Sequence, residues 1–380
     1  MTQPWHATKS SLHINLMPFY WRLSESSIPF SGIPKQLPIR VMADEQFDYL
    51  KLCYLASEWS AISTAYHQNE NIGFLNPESG QMTTYGASVN NFFLNKIQGA
   101  QPKNIYEIGC GAGYSIRFLK KHGFNVTGID PSEYSLHWSE RLGFALINNF
   151  FSEGLLLKKP DFIYCNDVFE HVPDILDFSR AVYKCLDFDG TFCIATTNSQ
   201  RSIELGDISM LEHQHVNMFT ERSLRLILRH AGFSSVEIKS GSYGNTFHVV
   251  ARKLRQPNAA TDLEGSIHCL GFFERASKKI EAFGRYYKQD GSLNCYVPLR
   301  CIPYLATVSD MGMTPIYDSN IAWRGKYIDG YDQPIRSLGD VTFQKLNRFF
   351  VGSITFYRQI QESLISCGYS PDFIITAESL

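Results

Sequence analysis

Two stretches of this chain carry side chains suited to proton transfer at neutral pH. They are Glu212-His213-Gln214-His215 and, further upstream, His171 within Asn166-Asp167-Val168-Phe169-Glu170-His171-Val172-Pro173-Asp174. An imidazole titrates near pH 6.5 and can take a proton from a hydroxyl or an acidic carbon, while a neighbouring carboxylate orients the ring or acts in its place. His215 is the first candidate for such a base, with Glu212 and His171 as its orienting partners or substitutes. The ordinary alternatives are a hydrogen-bonded structural histidine, above all for His213, and a solvated surface charge for Glu212.

A third stretch concerns binding. In Glu107-Ile108-Gly109-Cys110-Gly111-Ala112-Gly113, glycines stand at every second position, after a short apolar run and before a helix-like segment starting near Tyr114. A chain that turns from strand into helix against a ligand cannot carry Cβ atoms at its closest points, and the first amides of the helix present a positive dipole end. Asn125 to Asp130 reads as the next strand, and a carboxylate at its end can accept bonds from two ribose hydroxyls. The ligand expected is therefore a nucleoside-bearing cofactor. A dinucleotide fingerprint would need its third glycine at Tyr114, which argues against NAD. Gly109, Cys110, Gly111, Gly113, Asp130 and Pro131 form the expected cofactor site. Glu107 joins it through the loop backbone or the cofactor's amino group, and Asn149, Phe150, Asn166 and Asp167 flank it from later strand ends, where they could equally be turn residues.

The elements that must position these residues follow from periodicity. Residues 101–254 alternate strands with helices, implying a mainly parallel sheet whose ligand lies at the carboxyl ends of the strands. Upstream, residues 1–100 hold Pro4, Pro18, Pro29, Pro34 and Pro38 and predict an extended surface arm, then a helix capped by Asp44 with Phe47, Leu50, Tyr54 and Leu55 on one face. Tyr66 and Tyr85 are candidates for a lid. Residues 255–292 open on a polar linker, Arg255-Gln256-Pro257-Asn258. They continue as a connecting helix with a stripe at Leu263, Ile267, Leu270, Phe273, Ile280 and Phe283. Residues 293–380 predict a second, smaller α/β unit starting at Asn294-Cys295-Tyr296-Val297.

Composition sets the outer bounds. The 380 residues, 44% hydrophobic with net charge -2, suit two to three domains and give no reason to expect nucleic acid or an anionic membrane as partner. No apolar stretch is long enough to span a bilayer and no secretory leader is evident, so a cytoplasmic protein is expected. Nine cysteines without a Cys-x-x-Cys pair predict reduced thiols, no zinc site and no other metal site.

Glu107 to Gly113, Gly128-Ile129-Asp130-Pro131-Ser132 and Leu186-Asp187-Phe188-Asp189-Gly190 together resemble the class I S-adenosylmethionine-dependent methyltransferases. Asn166 to Asp174, Glu212 to His215 with Phe219-Thr220, and the C-terminal Asp318-Ser319-Asn320, Gly325 to Gly330 and Pro334-Ile335 are similar to motifs of the sugar C-methyltransferases. The resemblance implies a Rossmann-like methyltransferase domain with a smaller C-terminal Rossmann-like domain, S-adenosylmethionine as cofactor, and a sugar or nucleotide-sugar acceptor. It maps the family's active-site histidine onto His171 and leaves His215 of a Tyr-His-Glu-His stretch whose tyrosine and glutamate are replaced by Glu212 and Gln214. The family's cysteine-rich zinc-binding N-terminal region is absent, and Val297-Pro298-Leu299-Arg300 stands where a glycine-rich turn is expected. Methylation of oxygen or nitrogen on another small molecule, or cofactor binding without catalysis, are the competing expectations.

Overall fold

A computed structural model of the protein describes residues 3–19, 23–25, 33–68, 83–242, 245–255, 269–290, 293–309, 311–340 and 348–380, apart from the side chains of 66–68, 289–290 and 340. Its centre is a seven-stranded sheet in the order Ser235–Ser240, Thr246–Arg252, Thr191–Thr197, Phe162–Asn166, Ile105–Ile108, Val126–Ile129, Leu146–Ile147. The last five are parallel neighbours, and Thr246–Arg252 runs antiparallel between Ser235–Ser240 and Thr191–Thr197. Strands such as Phe162–Asn166, buried along Phe162, Ile163, Tyr164 and Cys165, are apolar on both faces because helices cover both. One covering cluster gathers Phe169, Phe192, Phe219 and Leu228, the other Phe93, Ile97, Leu119 and Tyr164. Strand order reverses between Ile105–Ile108 and Phe162–Asn166, and the crevice outside their carboxyl ends is where such a sheet binds ligands.

The N-terminal region departs from expectation. Instead of a surface arm, Trp5–Ala7, Ser11–Pro18, Gln36–Asp44 and Tyr49–Leu52 form an antiparallel sheet completed by Asn217–Met218 from the central unit. Alternation decides it. Leu12, Ile14 and Met17, with Leu37, Ile39 and Val41, line one buried face, and β-branched residues favour the pleat. Pro38 is accommodated at an irregularity, opposite the register shift between Ile14 and Met17. Asp44 does not cap a helix. It ends a strand, and its Oδ1 accepts the Phe47 amide at 3.1 Å in a turn that Asp48 closes at φ 57°. Phe47, Leu50 and Tyr54 do repeat at helical spacing, but cross-strand pairing of Tyr49–Leu52 overrides it. The helix that follows is Ala56–Gln68; the Tyr66 side chain lies outside the described residues.

The connecting helix spans Leu270–Asp290, with Leu263, Ile267 and residues 256–258 of the linker outside the described residues. Its Phe272, Phe273, Ala276, Ile280 and Phe283 enter one core with Leu12, Ile39 and Val41 of the N-terminal sheet and with Cys295, Tyr304 and Phe350 beyond. That last region is a parallel sheet in the order Ile335–Arg336, Ile316–Tyr317, Asn294–Tyr296, Phe349–Val351, Ile374–Thr376. A single helix thus ties the first and last segments of the chain together.

Candidate active site

The glycine turn follows the strand Ile105–Ile108 and has Gly109, Gly111 and Gly113 at φ 73°, 47° and 69°, a backbone that L-residues rarely adopt. Space is short as well. A Cβ at Gly109 would lie 2.3 Å from Val168 Cγ2, and one at Gly113 would lie 2.3 Å from Phe144. The Val168 contact joins the turn to the segment that carries Asp167, Glu170 and His171. Cys110 is buried, with its sulfur against Gly128, where a Cβ would come within 2.5 Å.

Asp130, nearly buried at the end of Val126–Ile129, is bound to this turn. Its Oδ2 accepts the Gly111 amide at 2.9 Å, while Oδ1 accepts the Ser132 amide at 2.9 Å and its hydroxyl at 2.6 Å. Pro131 lies between the carboxylate and Ser132, whose hydroxyl also accepts the Ser135 amide to cap the helix Glu133–Leu142. Asn148 donates to the carbonyls of Asp130 and Ser132 at 2.9 and 3.1 Å, a brace that its position one residue before the expected Asn149 could have suggested. Asn149 itself caps the next amide, that of Phe150, whose ring is half exposed.

Of the two roles expected for Glu107, the bond to the loop backbone is not the one its Oε2 makes. The residue is buried, and its Oε2 accepts the Tyr164 hydroxyl at 3.0 Å in place of a bond to the glycine-turn backbone. Burial, reinforced by the Asp130 charge and opposed by the Tyr164 bond, pushes its carboxyl up to about 8. Asn166 and Asp167 come together with Tyr85, one of the two expected lid aromatics. The Tyr85 hydroxyl donates to Asp167 Oδ1 at 2.6 Å and to Asn166 Oδ1 at 3.3 Å. Asp167 sits at φ 51°, and burial together with the nearby Glu170 charge raises its carboxyl.

The three candidate catalytic residues converge at the carboxyl ends of the same strands. The His171 and His215 rings meet edge to face with centroids 4.9 Å apart. His171 Nδ1 lies 2.7 Å from the Gln214 carbonyl, which selects the tautomer protonated at Nδ1. Glu212 Oε2 is 3.8 Å from His215 Nε2, and Glu212 Oε1 is 2.9 Å from Arg300 Nη1 of the C-terminal unit. Glu212 is therefore no solvated surface charge. Burial would raise its carboxyl, yet His215 and Arg300 hold it below the usual range. Burial shifts both His171 and His215 toward the neutral form, and the Glu212 charge opposes that shift. His213 points away: it is buried against Phe19, its Nε2 lies 3.1 Å from the Leu37 carbonyl, and burial takes it down to about 4. It is a structural link between the central unit and the N-terminal sheet.

Sequence reasoning passed over Glu170, Thr196 and Arg300. Glu170 is wholly buried beside the two histidines, with Oε2 accepting the Thr196 hydroxyl at 2.8 Å and Oε1 without a hydrogen-bond partner. One ligand-type atom each from Glu170, His171 and His215 lies within 4.8 Å of the others. The expectation of no metal site came from cysteine spacing, which carries no information on such a grouping.

The order of strands, the glycine turn and the carboxylate at the second strand end define an α/β Rossmann-like methyltransferase fold for the central unit. Residues 81–238 match a family described as a methyltransferase domain, in keeping with that class. Among relatives, a ubiquinone biosynthesis O-methyltransferase of Hydrogenovibrio crunogenus is 30% identical over 114 residues, covering 28% of this chain and 47% of its own length. One of the same name from Cupriavidus pinatubonensis is 25% identical over 169 residues, covering 40% and 68%. The chain thus spans about half the length of the first of these curated relatives. Among solved structures, the plantazolicin methyltransferase in complex with SAH is similar at 18% identity and TM-score 0.38, covering 44% of this chain and 84% of that one. A possible histamine N-methyltransferase of Thermotoga maritima is similar at 20% identity and TM-score 0.34, covering 43% and 91%. The relatives' names speak of oxygen methylation with no mention of sugars. Among the described residues no helix is long and apolar enough to cross a membrane.

Proposed function

We propose that the protein is an S-adenosylmethionine-dependent methyltransferase acting on a hydroxyl of a small-molecule acceptor. The observation that carries this reading is the Asp130 carboxylate on the Gly111 amide, in a turn that touches Val168 and so adjoins the His171 and His215 cluster. The turn and the carboxylate hold the adenosyl group, and Phe150 and Asn149 flank its base. Methyl transfer from a sulfonium is an in-line displacement, so the protein chiefly aligns oxygen, methyl carbon and sulfur, a contribution of up to about 7 to 11 kcal/mol in favourable cases. The acceptor hydroxyl must lose its proton. His215, neutral and oriented by Glu212, is placed to take it, with His171 beside it.

The oxygen acceptor is supported by the names of the relatives. A sugar or nucleotide-sugar acceptor is the second reading. Its support is the second parallel sheet, whose helix Pro298–Leu305 brings Arg300 onto Glu212. Incubation with methyl-labelled S-adenosylmethionine and two acceptor panels, nucleotide sugars and phenols, separates the two. Label on phenolic oxygen supports the first, label on the sugar supports the second, and binding of the cofactor without transfer to either would favour a noncatalytic role. In the same assay His215→Ala is expected to keep cofactor affinity and lose about 10²-fold or more in turnover. Full turnover would place the base elsewhere.

A further inference from the structure

We propose that Glu170, His171 and His215 form a binding site for one divalent transition-metal cation at the acceptor side of the cleft. Three observations converge on it. The ligand atoms of the three residues lie within 4.8 Å of one another, against about 3.4 Å between donors across a tetrahedral ion with bonds near 2.1 Å, a difference that small side-chain rotations close. Glu170 is completely buried, yet its Oε1 has no hydrogen-bond partner and no lysine or arginine pairs with it among the described residues. A buried carboxylate in that position is costly unless a cation meets it. The remaining atoms are already held as supports for ligands usually are. Thr196 Oγ1 fixes Glu170 Oε2 at 2.8 Å, and the Gln214 carbonyl fixes His171 Nδ1 at 2.7 Å, so that Nε2 of that ring carries the lone pair.

Two imidazoles and one carboxylate are a donor set for zinc, iron or manganese rather than for magnesium or calcium, which prefer all-oxygen surroundings. Three protein ligands also leave a position open, the arrangement of catalytic rather than structural sites. Glu212 lies beside His215 and adds negative potential, which Arg300 offsets from the C-terminal unit. The site needs residues from two distant parts of the chain, which explains why no spacing in the sequence announces it.

For its chemistry, though not for binding itself, this inference rests on the methyltransferase reading. With the cation bound, His215 is a ligand and no longer the base: the open position takes the acceptor oxygen and lowers the pKa of its hydroxyl, whose proton leaves to water. The oxygen lone pair then forms the bond to the methyl carbon as the carbon–sulfur bond breaks, with both its electrons staying on sulfur. No oxidant or reductant enters.

The test is calorimetric titration of the chelator-treated 380-residue chain with Zn²⁺, and separately with Mn²⁺ and Mg²⁺, for wild type, Glu170→Gln and His215→Ala. The expected result is one zinc site in the wild type, weakened about 100-fold or more in each variant, with Mg²⁺ bound far more weakly. Equal zinc affinity in wild type and a folded variant would overturn the site, since binding would then lie on other histidines or on thiols. Cobalt substitution gives a second readout: visible bands of nitrogen and oxygen coordination support the triad, and intense sulfur-to-cobalt charge transfer overturns it. S-adenosylmethionine binding is titrated in parallel. Its loss with metal binding intact would sink the methyltransferase reading alone. Undiminished methyl transfer in metal-free protein would overturn the acceptor-activating role even where the cation binds.

Discussion

Asp130 accepts three hydrogen bonds from the protein, including the Gly111 amide, before any ligand arrives. The carboxylate is therefore a strut of the glycine turn, and in the proposed reading it also accepts from the ribose. Asp130→Ala is expected to weaken S-adenosylmethionine binding by about 2 to 3 kcal/mol, roughly 30- to 150-fold, and to lower thermal stability as well. Calorimetry and melting of the variant check both, and unchanged affinity would remove the cofactor reading. Glu107 supplies a pH signature. Its carboxyl is raised to about 8 in the folded protein from an ordinary value of 4.5 when exposed, so folding favours its protonated form. The stabilisation is complete below the unfolded value and is lost as pH climbs toward 8. Glu107→Gln keeps an acceptor for Tyr164 without the charge and should flatten that decline, becoming the more stable of the two by up to several kcal/mol near pH 8. Parallel stability curves from pH 5 to 8 would refute the assignment.

The helix Leu270–Asp290 was legible from its apolar stripe, but the stripe alone could not name its partners. Phe283 packs with ring centroids 5.4 Å from Tyr304 and 4.9 Å from Phe350, and shares its core with strands from the first forty residues. Phe283→Ala should cost about 3 to 5 kcal/mol and, because one core serves both ends of the chain, lower the melting of the whole in a single step. A variant that melts in two separated steps would show that the N-terminal and C-terminal sheets are stabilised independently. The N-terminal strands illustrate the opposite case. Prolines and weak local signals suggested an irregular arm, whereas pairing with distant strands made Ser11–Pro18 and Gln36–Asp44 a sheet. Strand propensity depends on such neighbours more than helix propensity does.

Across the molecule, the C-terminal unit does more than dock. Arg300 pairs with Glu212 and donates to the Ser209 carbonyl at 3.3 Å, while the Tyr304 hydroxyl donates to the buried Asp207 at 3.0 Å. The segment leading into His213 and His215 is thus held from outside the central unit. Arg300→Met is expected to leave cofactor affinity unchanged and reduce turnover about 10-fold, in line with the modest worth of a partly exposed ion pair. Steady-state kinetics alongside cofactor titration would decide it. An equal loss of both would mean that Arg300 supports the whole fold, and no loss would mean that Glu212 needs no partner.

The shape of the glycine turn and the place of Asp130 could be read directly, because their requirements are local. Glycines at positive φ, a carboxylate at a strand end and a capping serine two residues on are all set by neighbours in the chain, and neighbours are what a linear pattern records. The acceptor half could not. His171 and His215 were visible as chemically apt residues, but their meeting with each other, with the unpartnered Glu170 oxygen and with Arg300 depends on how strands order themselves and how a remote helix packs. Burial then fixes their protonation, and burial is a property of the packed whole rather than of any stretch within it.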